Sequence, residues 1–293
     1  MSAEHEPTSD KPLAPGLYLV ATPIGNLEDI TLRALRVLRS ANRIACEDTR
    51  QTQKLLNHFE ISVPTVSYHM HNEGPRTEEL IAELKQGARI AVVSDAGTPG
   101  IADPGGQIAA AAIAAGISIF PIPGANAAIS GLIASGLPTD RFIFHGFLPA
   151  KAGQRKTALE ELIRSNVTHV FYEAPHRIID TLADIETIFG PSQHVVIARE
   201  LTKLHEEFLR GPVAELRSQL AARASVRGEI VLMLAPSPGE ASAAKKSLAA
   251  EVTALMKSEG ISEKDALKRV ARERGIGKSE AYRELQREQN RLR

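Results

Sequence analysis

The stretch "VVSDAGTPGIADPGG", residues 92–106, begins as an apolar run and continues as a chain of Gly, Pro and other small residues. Gly and Pro are turn formers, so the apolar run is predicted to end as a strand that enters a loop. Small residues also let the backbone approach a ligand closely. Asp95 stands where this loop begins, and a second Asp follows at position 103. Asp95 is therefore predicted either to contact a bound ligand, through ribose hydroxyls or a positive charge, or to cap the turn.

The same pattern extends outward on both sides of this stretch. Short apolar runs alternate with amphipathic segments, which predicts strands alternating with helices. Such alternation indicates a parallel or mixed sheet covered on both faces. Four loops would follow strands at one edge of the sheet, where ligands bind in open α/β folds. They are "TPIGNLEDI", "EDTR", "SDAGTPGIADPG" and "PIPGANAAISG".

Changes in composition divide the chain into four parts. Residues 1–15 are polar and Pro-bearing and are predicted to be a disordered tail. An N-terminal α/β domain spans 16–145, and a linker, "GFLPAKAGQRK" (146–156), opens a second α/β domain that spans 146–236. Residues 237–293 are predicted to be a flexible spacer followed by a basic helical extension.

Composition limits the class of protein. The 293 residues have a formal net charge of zero, so any basic surface must be local. The single cysteine, Cys46, excludes an internal disulfide and fits a reducing compartment. No charged residue lies between Asp103 and Asp140, but Pro121, Pro123 and Pro138 interrupt this run. We therefore interpret it as buried helix, strand, turn and helix, and predict no membrane span.

Familiar site motifs are absent. There is no G-x-G-x-x-G after the first strand and no P-loop sequence. His69 and His71 stand two residues apart, but no third ligand follows at a useful spacing, so no metal site is predicted.

Nine segments, in order, resemble the 16S ribosomal RNA cytidine 2′-O-ribose methyltransferase family of the tetrapyrrole methylase superfamily. The most specific are "TPIGNL" and "SDAGTPGIADPG". The others include "ACEDTR", "HNE", "GFLP", "FYEAPHR", "ARELTK" and "GEIVLML", and the resemblance covers about residues 15–236. It implies two α/β domains of the tetrapyrrole methylase type with S-adenosylmethionine in the interdomain cleft, plus a small helical C-terminal extension. It also implies a cytoplasmic homodimer that acts on a decoding-centre cytidine of small-subunit ribosomal RNA in the assembled 30S subunit.

The resemblance also implies cofactor contacts by motif position. These fall at Pro23, Val93, Ser94, Asp95, Thr98, Asn126, Ala127, Glu173 and Leu201. Tetrapyrrole enzymes of the superfamily usually read "GDP" where this chain reads "SDA", and this difference fits the RNA branch of the superfamily. Asn126 stands where relatives often have Ser or Thr, and its amide retains the capacity to hydrogen-bond.

Methyl transfer to a ribose hydroxyl calls for a proton acceptor and for cations near the RNA. The candidate bases are Glu47, Asp48, His71, Glu73, Glu173 and Glu200, with "EDTR" and "HNE" slightly favoured because they should line the substrate side. The candidate substrate-binding residues are Arg50, Asn72, His176, Arg177, Arg199 and Lys203. A surface salt-bridge cluster is the alternative interpretation of the charged groups from the second domain.

The last residues of the chain are predicted to form a basic extension. Residues 245–293 contain thirteen Lys/Arg against eight Asp/Glu, and their pattern resembles a helix-turn-helix. Its first helix would pack against Ala281, Tyr282 and Leu285. The extension either contacts RNA or packs as a helical or solvated tail.

Two other functions are the alternatives to an RNA methyltransferase. They are a small-molecule tetrapyrrole (precorrin-type) methylase and a non-enzymatic nucleic-acid binder.

Overall fold

The first half of the chain builds a five-stranded sheet in the order β3-β2-β4-β1-β5, in which every neighbouring pair is parallel. Its strands are β1 (Gly16–Val20), β2 (Arg43–Cys46), β3 (Thr65–Ser67), β4 (Arg89–Val93) and β5 (Ile119–Ile122). The helices that follow them are α1 (Leu32–Ser40), α2 (Thr49–His58), α3 (Glu73–Lys85), α4 (Gly106–Ala114) and α5 (Ala127–Ile133). Because the strands are parallel, the loops that follow them lie at one edge, as predicted.

Both faces of this sheet are buried. Along β4, Ala91 and Val93 pack in the cluster formed with α1 and α2. Ile90 and Val92 belong to the opposite cluster, formed with α3 and α4. This accounts for the unbroken apolar runs, since a strand covered on both faces has no polar side.

The second half builds a mixed sheet in the order β6-β7-β10-β8-β9. Its strands are β6 (Phe142–Phe147), β7 (Thr168–Glu173), β8 (His194–Arg199), β9 (Glu207–Pro212) and β10 (Ile230–Leu234). Only the β6–β7 pair is parallel; the pairs that involve β8, β9 and β10 are antiparallel. One face packs against α6 (Ala152–Glu160), α7 (Ile178–Phe189) and α8 (Val213–Ala221).

The other face of the second sheet is covered by α5, which follows the last strand of the first sheet. Ala128 and Leu132 pack there against residues such as Val170 and Met233. The approach is close at Gly131, where an added Cβ would lie 3.3 Å from Val231 Cγ1. At the end of α5, the Arg210 guanidinium of β9 donates hydrogen bonds to the carbonyls of Ala134 (2.7 Å) and Ser135 (3.1 Å). One helix thus joins the two sheets.

The structure is a computed structural model that describes residues 12–237, 248–273, 281–282 and 285. The chain divides into two compact units, Met1–Ser237 and Pro238–Arg293. In the second unit, α9 (Leu248–Glu259) and α10 (Glu263–Glu273) pack in one cluster with Ala281 and Leu285. Tyr282 is 56% exposed, so its predicted packing against α10 is wrong.

Two other sequence-based expectations need correction. The predicted linker 146–156 contains the end of β6 and the first half of α6, which begins at Ala152, so the boundary at 145/146 falls inside a strand. The predicted disordered tail 1–15 is ordered at its end: Leu13 packs against the core, and the Ala14 carbonyl accepts a hydrogen bond from the Tyr18 hydroxyl. Residues 1–11 lie outside the described part, as do residues 238–247, which include most of the predicted spacer, 237–244.

The uncharged run between Asp103 and Asp140 forms α4, β5 and α5, as predicted. Among the described residues, no helix has the length and the apolar character that a membrane crossing requires.

The close packing of α5 leads to a stability prediction. Gly131→Val is expected to lower the free energy of unfolding by about 1–3 kcal/mol, because the added methyl groups overpack the contact with Val231. Gly153→Val is the matched control, since Gly153 is also helical and an added Cβ there meets no atom within 4 Å. Denaturant unfolding of both variants checks this. Equal effects would show that α5 does not pack tightly on β10.

Candidate active site

The loop between β4 and α4, residues 94–105, is hydrogen-bonded to the loops beside it. Gly97 and Thr22, in the loop after β1, exchange two backbone hydrogen bonds of 2.8 and 3.0 Å. The Thr98 hydroxyl donates to the carbonyl of Ala125, in the loop after β5, at 3.1 Å. Gly97 has a φ of +83°, a conformation that side chains with a Cβ disfavour, so the turn at this point needs glycine.

Carboxylates attach the same loop to the other side of the sheet. Asp95 Oδ1 accepts a hydrogen bond from the backbone N–H of Asp48, directly before α2, at 3.0 Å. Glu73, the first residue of α3, accepts one from the N–H of Gly105 at 3.2 Å. The loop is therefore bonded at both ends and in its middle to elements that follow four different strands.

A cavity of about 390 Å³ opens between this loop and the second sheet. That volume lies in the range of small-molecule sites. The wall from the first half consists of Ile24, residues 95–98, residues 101–103 and Ala127. The wall from the second half consists of Phe147, residues 172–175, Ala198, Leu201 and residues 228–231. Small side chains dominate the first wall, so a ligand there would lie against backbone.

The structure brings five of the nine predicted cofactor-binding residues into the cavity wall: Asp95, Thr98, Ala127, Glu173 and Leu201. The other four, Pro23, Val93, Ser94 and Asn126, are not among the residues that line it. Val93 is buried in the core, and the Ser94 hydroxyl donates to the Ala96 carbonyl. Asn126 caps α5, and its amide donates to the Thr98 hydroxyl at 3.3 Å. These positions support the loop behind the cavity.

Glu173 reaches the cavity wall, but its carboxylate is occupied. The side chain is fully buried. It accepts hydrogen bonds from the Ala174 N–H (2.8 Å) and the Thr181 hydroxyl (2.7 Å), and Arg177 Nε lies 3.2 Å away. Arg177 also donates to the carbonyls of Leu148 and Pro149. Both residues therefore hold the start of α7, and the geometry does not favour Glu173 as a base or Arg177 as a phosphate ligand.

Three carboxylates gather at the edge of the first sheet, where β2 and β4 are neighbours. Glu47 follows β2, Asp95 follows β4, and Asp103 comes from the far end of the loop. Burial, with a further contribution from Asp95, raises the pKa of Glu47, while nearby His69 opposes the shift. Burial and the negative charge of Glu47 raise the pKa of Asp103 to about 6. This concentration of negative charge favours a cation in the cavity.

The other predicted bases have different surroundings. Asp48 caps α2 and binds Arg50 through two side-chain hydrogen bonds, which lower the pKa of Asp48 to about 2. His71 packs edge-on against His69, and Glu73 holds Gly105. Glu200 has an uncommon positive φ of 54°, and a hydrogen bond from Lys203 lowers its pKa. None of these four lines the cavity.

The predicted substrate-binding residues are also mostly engaged within the chain. Asn72 accepts from the His69 N–H and holds the turn before α3. Arg199 binds Glu207, and Lys203 bridges Glu200 and Glu229 at 2.8 and 3.1 Å. His176 is exposed at the start of the α7 segment, and the Arg50 side chain is 87% exposed despite its bond to Asp48. Of the predicted set, Arg50 and His176 face solvent most openly.

The cavity residues to which the sequence assigned no role include Asp103, Phe147, Tyr172 and Glu229. Asp103 belongs to the 94–105 loop, and a charged residue among Gly and Pro was the available signal. Phe147 and Tyr172 pack against each other with ring centroids 5.6 Å apart, at the ends of two paired strands. Nothing local distinguishes them from ordinary core aromatics.

Comparisons with known proteins agree with this architecture. The model of the family described as tetrapyrrole (corrin/porphyrin) methylases matches residues 16–217. Ribosomal RNA small subunit methyltransferase I of Halalkalibacterium halodurans is 49% identical over 271 residues, which cover 91% of this chain and 93% of that protein. The proteins of the same name from Synechocystis sp. and Bacillus subtilis are 46% and 43% identical over 91% of this chain, and the matches cover 95% and 92% of those proteins.

Solved structures of the same fold are more distant in sequence. Uroporphyrin-III-C-methyltransferase from Thermus thermophilus superposes with a TM-score of 0.54 at 22% identity, covering 77% of this chain and 96% of that one. A diphthine synthase gives 0.58 at 15% identity, covering 75% and 89%. Identities this low support the fold alone.

The bonds of Glu173 lead to a prediction about α7. Thr181→Val removes a donor to a buried carboxylate and should lower the free energy of unfolding by about 1.5–3 kcal/mol. Thr187→Val, on the exposed side of the same helix, removes a hydroxyl that donates only to the Ala183 carbonyl, and should change it by less than about 0.5 kcal/mol. Chemical denaturation compares the two. A similar loss in both would mean that Glu173 does not depend on Thr181.

Proposed function

The chain belongs to the ribosomal RNA small subunit methyltransferase I family of tetrapyrrole methylases, and we propose that it methylates the ribose 2′-oxygen of a cytidine in small-subunit ribosomal RNA with S-adenosylmethionine. The observation that carries this proposal is the cavity between the two sheets, where small residues and carboxylates meet at the edge of the first sheet.

The cavity residues fit such a cofactor. Asp95 offers a carboxylate for hydroxyl groups or positive charge, and the backbone of residues 96–98 is accessible beside small side chains. Ile24, Leu201 and Tyr172 supply apolar contacts for a flat heterocycle. We propose Asp95, Thr98, Ala127 and Leu201 as cofactor contacts, with Asn126 holding Thr98 in place. When bound, the cofactor supplies a methyl group on a cationic sulfur.

The RNA would approach along α2, which contains no acidic residue. This helix begins directly after Asp48, beside the carboxylate group, and its exposed side carries Arg50, Gln53 and Lys54. They line an open surface depression with Thr49, Asn57 and Thr65 of the sheet edge. Basic and amide side chains of this kind bind phosphate oxygens without reading sequence. We propose that α2 positions the backbone while the target ribose enters the cavity.

The two alternative functions receive less support. The tetrapyrrole enzymes that share the fold are at most 22% identical among the compared structures, while the relatives named for ribosomal RNA are 43–49% identical. A non-enzymatic nucleic-acid binder would have no use for a cavity of this size lined by carboxylates.

The partners and the compartment follow from the same proposal. The substrate is taken to be the assembled 30S subunit, in the cytoplasm, and the excess of basic residues in 245–293 supplies further phosphate contacts. A homodimer is favoured by β6, an edge strand that leaves Phe142, Ile143 and Phe147 between 38% and 57% exposed. An apolar edge strand is a surface that another chain is expected to cover.

Asp95 gives a prediction about cofactor affinity. Asp95→Ala should weaken S-adenosylmethionine binding roughly 10- to 100-fold, because a charged hydrogen-bonding group contributes about 1.5–3 kcal/mol. Asp95→Asn retains an acceptor for the Asp48 N–H and separates the loss of charge from the loss of the loop contact. Asp140→Ala, at an exposed position, is the control. Calorimetric titration of folded variants measures the affinity, and unchanged binding would remove Asp95 from the site.

The acceptor atom gives a prediction about the reaction. A small subunit with a single 2′-deoxycytidine at the target should still bind, because phosphate contacts dominate affinity for nucleic acids. It should accept no methyl group, since the hydroxyl that receives it is missing. Mass spectrometry of the digested RNA measures transfer. A methyl group on the cytosine ring, or transfer to the deoxy substrate, would contradict the proposed acceptor.

A further inference from the structure

Four carboxylates line the cavity: Asp95, Asp103, Glu173 and Glu229. Three of them are already bound. Asp95 accepts the Asp48 N–H, and Glu173 accepts a backbone N–H and the Thr181 hydroxyl. Glu229 is held by Lys203 and turns largely to solvent, with its side chain 73% exposed.

Asp103 differs from the other three. Within the described ranges, no cation and no backbone N–H donates to its carboxylate, and the nearby Ser94 hydroxyl is the one group that opposes the rise in its pKa. The residue before it, Ala102, has a φ of +61°, which a residue with a Cβ adopts only when the surrounding loop imposes it. Two residues after it, Gly105 is held by Glu73. Asp103 thus lines the cavity on a loop that hydrogen bonds hold in place, and its carboxylate is available to accept a proton.

The groups that face Asp103 are acidic or neutral. Glu47 approaches from the end of β2 and Asp95 from the end of β4. Tyr172 lies across the cavity on β7, and the Glu73 carboxylate stands behind the loop on α3. Burial and then the charge of Glu47 raise the pKa of Asp103 to about 6, against the effect of the Ser94 hydroxyl. A base with a pKa near the working pH is the most effective proton acceptor.

We infer that Asp103 is the catalytic base, which accepts the proton of the ribose 2′-hydroxyl during methyl transfer. The inference rests on the proposed function. As the 2′-oxygen forms its bond to the methyl carbon, its proton passes to Asp103, and the bonding pair of the breaking methyl–sulfur bond remains on sulfur. Glu47 and Asp95 act as positioning groups that keep Asp103 basic.

The test compares Asp103→Asn and Asp103→Glu with Asp140→Asn, the same chemical change on an exposed residue. Calorimetry measures S-adenosylmethionine affinity, and single-turnover transfer to the 30S subunit at saturating cofactor is followed from pH 5 to 8.5. Asp103→Asn should slow transfer by about 10²–10⁴-fold, the usual contribution of a general base, while cofactor affinity changes less than about threefold. Asp103→Glu should recover part of the rate, and Asp140→Asn should match the wild type.

The pH profile separates a base from a structural role. In the wild type, the rate should fall as the pH drops through about 6, because protonated Asp103 can no longer accept a proton. The residual rate of Asp103→Asn should not show this fall at low pH.

Thermal unfolding gives a readout independent of activity. The pKa of Asp103 in the folded protein lies above its unfolded value of 3.8. Ionisation of Asp103 therefore lowers the free energy of unfolding as the pH rises from about 4 to 6. Asp103→Asn should therefore unfold at the same or a higher temperature at pH 7.5.

Specific results would overturn the inference. If the transfer rate of Asp103→Asn falls at low pH as it does in the wild type, another group accepts the proton. The same conclusion follows if the variant binds the cofactor more weakly and still transfers at the wild-type rate when saturated. Unfolding of Asp103→Asn at a lower temperature at pH 7.5 would also count against it. If wild-type protein binds no S-adenosylmethionine or methylates no 30S subunit, the proposed function fails and this inference fails with it. If the wild type is active but the loss of rate in Asp103→Asn is the same at every pH, the proposed function stands and only this inference is overturned.

Discussion

The site depends on the hydrogen bonds that fix the 94–105 loop. This loop leaves the central strand of the parallel sheet, and β2 and β1 lie on either side of that strand. Because of that position, Asp95 reaches the Asp48 N–H on one side and Gly97 reaches Thr22 on the other. Each bond requires the correct strand register. The loop therefore takes its shape only when the whole sheet has formed, and the cavity is a property of the complete fold.

The same arrangement separates carboxylates that maintain structure from carboxylates available for chemistry. Glu173 is enclosed by donors and stabilises the start of α7. Asp103 shares its surroundings with Glu47 and Asp95 and has few donors, so its proton affinity is raised. Perturbed acids of this kind concentrate at functional sites because a stable core gains nothing from unpaired charge.

Most of the strands and helices were predictable because their apolar patterns are local. The strand β6 was missed, since its exposed, apolar edge residues show neither clear alternation nor burial and it ends at Gly146 and Phe147, inside a segment that resembles a linker. The position of Asp95 in the cavity wall was predictable because Asp95 follows a buried strand. The hydrogen bonds of Glu173 could not be anticipated because its partner Thr181 lies on the next helix. The surroundings of Asp103 depend on Glu47, 56 positions earlier in the chain, so sequence spacing alone could not reveal them.

The placement of α5 has a consequence for how such a protein evolves. This helix follows the last strand of the first sheet, yet its buried side chains complete the core of the second. Arg210 then ties its end to β9. A second half inherited or transplanted without α5 would carry an uncovered apolar sheet face. The two halves are therefore not interchangeable modules, and new substrate specificities must arise by changing loops and surfaces within one inseparable pair of sheets.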